Sequence, residues 1–241
     1  MKETKDLVSD IELNPELQDI DPQTLKEMMW FMDFLEALIV IEGRKGSGKT
    51  CGSVAIAWKL KELFNRPVIC DFHPTDEFGE YTFLDEKKFL KHLSDITDVA
   101  KNTAQEDIDL AVEWSLRKLG IQLSESTIIL DESYRYFDCR TPTDKLVRIF
   151  GYFIAQSRHY RNTIILLTPN KLMLDRRVRQ QVDFYGRVAF NARTQVIHGR
   201  FTNQMTGDVK PLRIFGPNYF GKYRSWSPIA MRKSILNIGN L

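Results

Sequence analysis

The sequence predicts an α/β fold: a central, mainly parallel sheet flanked by helices, with a small β-extension toward the C-terminus. Three observations predict it. Four apolar runs of strand length recur, at 37–42, 67–72, 126–133 and 162–170. They are near-continuous in Ile, Val and Leu rather than alternating, as in strands buried on both faces of a parallel sheet. Between them lie segments of helical spacing, the alternation that parallel sheets need for their crossovers. Beyond residue 183 the period changes to near-alternation, which suits a hairpin with one wet face.

Taken in order, the first 28 residues are polar, carry Pro15 and Pro22, and read as an N-terminal arm. Residues 29–192 read as the core, and 193–241 as a basic, aromatic β-extension packed on it. The run "ALIVIE" (37–42) is the first buried strand. A helix follows from Gly48 to about Phe64, with Val54, Ile56, Ala57, Leu60 and Leu63 near helical spacing. "PVICDF" (67–72) is the second strand. Two helices are expected at 86–94 and 104–119, the latter capped by Thr103 and striped by Ile108, Ala111, Val112, Leu116 and Leu119. "STIILDES" (126–133) is a third strand ending in two acids. A helix at 141–160, capped by Thr143, leads to the fourth strand, "NTIILLTPN".

The 34 Lys and Arg nearly balance 32 Asp and Glu, but unevenly along the chain. From Ser133 onward 19 basic residues face 5 acidic ones, whereas the first 132 residues carry 15 against 27. Such polarity suits a polyanionic partner, head-to-tail stacking of subunits, or compensation within one fold. Cys51, Cys70 and Cys139 follow no zinc or disulfide spacing, and His73, His92, His159 and His198 form no metal pair. The acidic N-terminus lacks a signal peptide's character, and no apolar run reaches the ~18 residues of a membrane span. A soluble, cytoplasmic protein without a transmembrane segment is expected.

The octet Gly43-Arg44-Lys45-Gly46-Ser47-Gly48-Lys49-Thr50 matches GxxxxGK[ST] in full, between a strand and a helix. Glycines let the backbone wrap phosphate oxygens, and the helix start aims free N–H groups at the anion. The expected nucleotide-binding stretch is Gly43 through Cys51, with ATP as cofactor. Lys49 would bridge the β- and γ-phosphates and Thr50 would ligate Mg²⁺. Asp131 and Glu132, some 80 residues on, stand where a Walker B pair belongs: Asp131 for the metal, Glu132 to orient and deprotonate the attacking water. Thr168 and Asn170 end the fourth strand, where a polar group can sense the γ-phosphate or simply form a turn. Arg158, ahead of Arg161, is a candidate for an arginine acting on a neighbouring subunit's nucleotide; a solvated helix end is the plain alternative. Arg176, Arg177 and Arg179 could contact DNA phosphates or make salt bridges between subunits. Asp71 and His73 follow the second strand at the nucleotide edge of the sheet; their role stays open, with a simple strand terminus the plainer account.

The string "TIILDESYRYFDCR…FIAQSRHYRNTIILLTPNKLMLDRRVRQQVDFYGRV" resembles the FtsK/HerA superfamily of P-loop ATPases. Within it the likeness is to the zonula-occludens-toxin-like branch and to small viral genome-packaging ATPases. It covers roughly residues 37–192. The resemblance implies a RecA-like core of the ASCE class that assembles as a homo-oligomeric ring, usually a hexamer, and drives double-stranded DNA through its centre. A capsid or membrane-vertex protein would be its partner, and the host cytoplasm or the virion its place. The superfamily's usual sensor glutamine is replaced here by "TPN". Two other classes stay open: an assembly factor that uses ATP only to switch shape, and a small-molecule kinase. A kinase leaves phosphate on a third molecule, whereas a motor releases it free.

Overall fold

A computed structural model describes residues 21–85, 124–140, 147, 151, 153–155 and 157–223. The chain divides into two compact units, Met1–Asp33 and Phe34–Leu241. In the first, a helix spans Pro22–Met32. Its start is built from local chemistry: Asp21 Oδ1 accepts from the N–H groups of Gln23 (2.9 Å) and Thr24 (3.1 Å), and Pro22 occupies the first turn, where its missing N–H is not needed. The expected helices at 86–94 and 104–119, Thr103 and Thr143 lie outside the described residues. So do residues 1–20 of the arm and residues 224–241. Of the helix expected at 141–160, residues 147, 151 and 153–155 are helical, whereas residues 157–160 form a turn, so the helix ends before Ser157.

The second unit holds one eight-stranded sheet in the order β3-β2-β4-β5-β1-β6-β7-β8. The strands are β1 (Leu38–Glu42), β2 (Val68–Cys70), β3 (Thr82–Phe83), β4 (Thr127–Leu130), β5 (Thr163–Thr168), β6 (Phe184–Asn191), β7 (Val196–Asn203) and β8 (Val209–Phe215). Pairing is parallel from β3 through β6 and antiparallel from β6 to β8. The sequence separates these halves. Leu38–Ile41, β2, β4 and β5 are buried throughout, whereas β6, β7 and β8 alternate between buried and open positions. Each expected strand is one to four residues shorter than its apolar run.

One face of the sheet carries the helix Lys49–Phe64, whose Val54, Ala55, Ile56, Ala57 and Leu60 are buried. It stops at Asn65, in the left-handed region at φ 52°, just ahead of Pro67. The other face is covered by Tyr136, Phe137, Phe153, Ile154, Leu174, Val178 and Val182, packed on Leu38, Val40, Ile128, Ile164 and Leu166. Under β6 and β7, Phe34 meets Phe184 and Phe201 with ring centroids 5.1 and 5.3 Å apart. Phe201 fits only because residue 186 is glycine: a Cβ there would lie 2.4 Å from Phe201 Cε1. After β8 the chain forms a short helix, Pro217–Phe220, beside the Lys49–Phe64 helix, and Pro74 bridges to Tyr223. Lys222 Nζ sits 3.7 Å over the Trp58 ring and fastens this segment to that helix.

Candidate phosphate-binding site

The loop between β1 and its helix is held at both ends. Gly43 N–H donates to Thr168 O of β5 (3.3 Å), Ser47 N–H to Arg44 O (3.1 Å), and Gly52 N–H closes the first helical turn on Gly48 O (2.8 Å). Gly46 and Gly48 take φ of 77° and 90°, the left-handed region open to glycine. Gly48 also lacks room for a side chain, since a Cβ would press Ile197 at 3.0 Å. The Lys49 ammonium turns into the loop and donates to the carbonyls of Gly43 (2.9 Å) and Arg44 (3.3 Å). Arg44, Lys45 and Gly46 are exposed on the rim, and Ser47 Oγ is buried with no partner among the described residues. A loop of left-handed glycines, a buried lysine and an orphan hydroxyl fits a bound chain of phosphates.

β5 lies between β1 and β4, so the acids stand one strand away from the loop. They are not in the strand, as the apolar run suggested: β4 ends at Leu130, and Asp131 and Glu132 form a turn. Asp131 Oδ1 accepts the Glu132 N–H at 2.8 Å, which holds Glu132 at φ 46°. Ser133 Oγ donates to Leu167 O (2.9 Å) and ties the turn to β5. The outcome is a direct contact: Thr50 Oγ1 donates to Asp131 Oδ2 at 3.3 Å. Thr50 and Asp131 thereby become neighbouring oxygen donors that could hold a cation. Glu132 Oε2 is buried without a hydrogen-bond partner among the described residues, an acceptor open to an incoming donor. Burial raises the carboxyl pKa of both acids; the Asp131 charge adds to the rise at Glu132, while Lys49 and Arg135 oppose it.

Beneath the acids lies a residue whose part the sequence did not disclose. Asp71 follows β2, and its side chain is only 1% exposed. Its Oδ1 accepts the Asp131 N–H (2.8 Å), and its Oδ2 accepts from Tyr136 Oη (2.9 Å) and Arg135 Nη2 (3.2 Å). Arg135 Nη2 also donates to Asp131 O at 3.2 Å. Burial pushes the Asp71 carboxyl up to about 7, with the neighbouring Asp131 charge adding to it and the donated hydrogen bonds opposing it. Asp71, Arg135 and Tyr136 form the floor that sets the acid turn. The one sequence signal was an acid at the carboxyl end of a buried parallel strand, where sites collect.

Thr168 is buried opposite Glu42 in the β1–β5 register, and its hydroxyl donates to Asn170 O at 3.0 Å. Asn170 is exposed, and its Oδ1 accepts the Leu172 N–H (2.8 Å) to cap a 3-10 turn at Lys171–Met173. Cys51 is buried on the helix with its thiol against the Tyr223 hydroxyl, and burial pushes it up to about 11. It is a packed thiol rather than a nucleophile. Arg158 stands apart from this group. Its Nη2 pairs with Asp183 Oδ1, and Asp183 Oδ2 accepts the N–H of Leu38, which opens β1. The loop begins beyond the other end of that strand, roughly 15 Å away at ~3.3 Å per residue. Arg161 pairs with Glu36 (2.8 Å) and Glu125 (2.7 Å). Arg177 pairs with Asp175 (2.9 Å), the N-cap of the short helix Arg176–Arg179, and Arg179 Nε donates to Leu174 O.

The sheet order, the glycine loop and the acid turn across one intervening strand define a P-loop NTPase fold. The zonular occludens toxin (Zot) family profile matches residues 37–212, well over half of the chain. The chain belongs to the Zot family. No curated protein sequence matches it. Among solved structures it is similar to the N-terminal domain of zonular occludens toxin from Neisseria meningitidis, at 18% identity and a TM-score of 0.52, over 79% of this chain and 100% of that one. Looser likenesses reach B204, the DNA-packaging ATPase from Sulfolobus turreted icosahedral virus, at 17% identity and TM-score 0.49, over 73% of this chain and 96% of that one. The genome-packaging NTPase B204 from Sulfolobus turreted icosahedral virus 2, in complex with ATP-gammaS, is at 16% identity and 0.46 over the same shares. Among the described residues, no helix is long and apolar enough to cross a membrane.

Proposed function

We propose that the protein is a Mg²⁺-dependent ATPase that assembles as a ring and translocates double-stranded DNA, as a genome-packaging motor does. The observation that carries this reading is the 3.3 Å contact between Thr50 and Asp131, with the unpartnered Glu132 carboxylate oxygen beside them. The loop N–H groups bind the triphosphate, and Lys49 exchanges its two carbonyl acceptors for β- and γ-phosphate oxygens. Thr50 and Asp131 would hold Mg²⁺, which would supply positive charge to offset that on the γ-phosphate. Two neighbouring hard oxygen donors, a hydroxyl and a carboxylate, suit magnesium. Glu132 orients the attacking water and takes its proton; a carboxylate kept more basic by burial does this better than an ordinary one. Thr168 and Asn170, at the end of β5, would register loss of the γ-phosphate. Arg158, at the far end of the sheet, acts only on a nucleotide held by a neighbouring copy. A capsid or membrane-vertex protein would complete the machine in the host cytoplasm.

The test is phosphate release with and without duplex DNA. Wild-type turnover rises with DNA, Lys49→Ala abolishes it, and Glu132→Gln lowers it by about 10²–10⁴ while ATP still binds. Turnover indifferent to DNA at low and moderate salt favours an assembly factor that only switches shape. Phosphate transferred to a third molecule would mean a kinase.

A further inference from the structure

The face of β6, β7 and β8 turned away from the Lys49–Phe64 helix carries a group of exposed basic side chains. Val188 and Ile197 point to the helix, since they are what a Cβ at Gly52 or Gly48 would meet. Strand alternation therefore sends Arg187, His198, Arg200 and Arg213 to the opposite side, and all four are exposed. Registers bring them together: Arg187 lies opposite Arg200, and His198 lies opposite Arg213. None of the three strands contains an Asp or Glu. Among the described residues Glu42 from β1 reaches this face and pairs with Arg187. Arg200 and Arg213 have no ion-pair partner among the described residues.

This basic face continues onto the next layer. Tyr185, two residues before Arg187 and on the same side, has Lys171 Nζ 4.5 Å over its ring and donates its hydroxyl to Arg179 O (3.2 Å). Lys171 and the carbonyl of Arg179 thus border the sheet residues.

Like charges directly opposite on a ladder destabilise it, and since Glu42 offsets Arg187 but not Arg200 or Arg213, those two suit an external counter-charge. We propose that this surface binds the sugar-phosphate backbone of duplex DNA, an inference that rests on the reading of the protein as a DNA-translocating ATPase. The cationic groups step across strands ~4.8 Å apart and along them by two residues, ~7 Å, the scale of successive backbone phosphates. On this side of β8 the exposed Val209 and Phe215 lie at the two ends of the strand, at the rim of the face, while its centre holds Arg, His, Ala189 and Pro211. A protein partner would need a desolvated apolar centre with its charges at the rim, the reverse of this arrangement. Binding through guanidinium and phosphate carries no sequence preference, which is what a translocating enzyme requires.

The experiment compares wild type with the double variants Arg200→Glu/Arg213→Glu and Arg200→Gln/Arg213→Gln, using fluorescence anisotropy of a labelled random-sequence duplex between 50 and 200 mM salt. Neither residue belongs to the nucleotide machinery, so ATP binding and DNA-independent hydrolysis should stay at wild-type values. The Gln pair is expected to weaken DNA binding about tenfold or more at 50 mM salt and to flatten the plot of log affinity against log salt by about 2. The Glu pair should bind more weakly still, with DNA-stimulated turnover lost. If DNA stimulates wild type and both variants alike and their salt slopes agree, this surface is not the DNA site. If the variants instead lose self-association while DNA affinity is unchanged, the face binds the acidic half of another copy and the proposal falls. Failure of wild-type turnover to respond to DNA overturns the translocase reading instead, whatever the variants do.

Discussion

Replacing Asp71 with asparagine removes a charge from the floor of the site while keeping the side chain's shape. The remaining oxygen can still accept the Asp131 N–H and the new amide can meet the Tyr136 hydroxyl, but Arg135 then faces a donor. Loss of that charge-assisted bond costs about 1.5–3 kcal/mol at pH where Asp71 is ionised. A second effect opposes it. Burial raises the carboxyl from an ordinary 3.8 to about 7, so between those values the folded chain keeps a proton that the unfolded chain releases. The stability this group contributes is therefore full below about pH 4 and is lost as pH rises through about 7. The whole span corresponds to about 4 kcal/mol, a large part of a typical domain's stability. Urea unfolding of wild type and Asp71→Asn at pH 5, 6, 7 and 8 reads it, because asparagine does not titrate and the groups outside the Asp71–Asp131 contact cancel in the difference. From pH 5 to 8 the wild type should lose about 3 kcal/mol relative to the variant. Curves that run parallel across this range would refute the reasoning, for they would mean that Arg135 and the two other donors keep Asp71 ionised throughout.

Gly186→Ala drives a methyl into Phe201, and overpacking of this kind costs about 1–3 kcal/mol. Thermal unfolding should show a Tm lower by roughly 3–10 °C, and an unchanged Tm would show that Phe201 does not seat against residue 186. Arg158→Ala breaks an exposed ion pair with Asp183 and should change unfolding free energy by less than about 1 kcal/mol. If Arg158 serves a neighbouring subunit, the same change lowers ATP turnover by about 10³ or more, and mixtures with wild type fall below the linear average; turnover proportional to the wild-type fraction would leave it as a surface salt bridge.

Much of the fold was legible locally. The four apolar runs mark β1, β2, β4 and β5 because a strand buried on both faces has no polar position to spare. Gly46 and Gly48 mark the loop because their backbone angles suit no other residue so well. The ends of elements were less legible. The run ending in Asp131 and Glu132 reads as strand to its last residue, yet Asp131 turns its carboxylate onto the next N–H and closes the strand at Leu130. Likewise Asn170, a candidate sensor from its place after β5, uses its side-chain oxygen to cap the following turn.

What the sequence determined by itself was the chemistry present: a phosphate loop on a strand-to-helix turn and a pair of acids after a later strand, both patterns set by neighbours in the chain. Tertiary structure alone decided which distant groups share a site. Asp71 and Arg135 are 64 residues apart, and Arg187, Arg200 and Arg213 sit on three strands. Their meeting depends on strand order and register, which arise from packing the whole sheet, so no local window of sequence contains them.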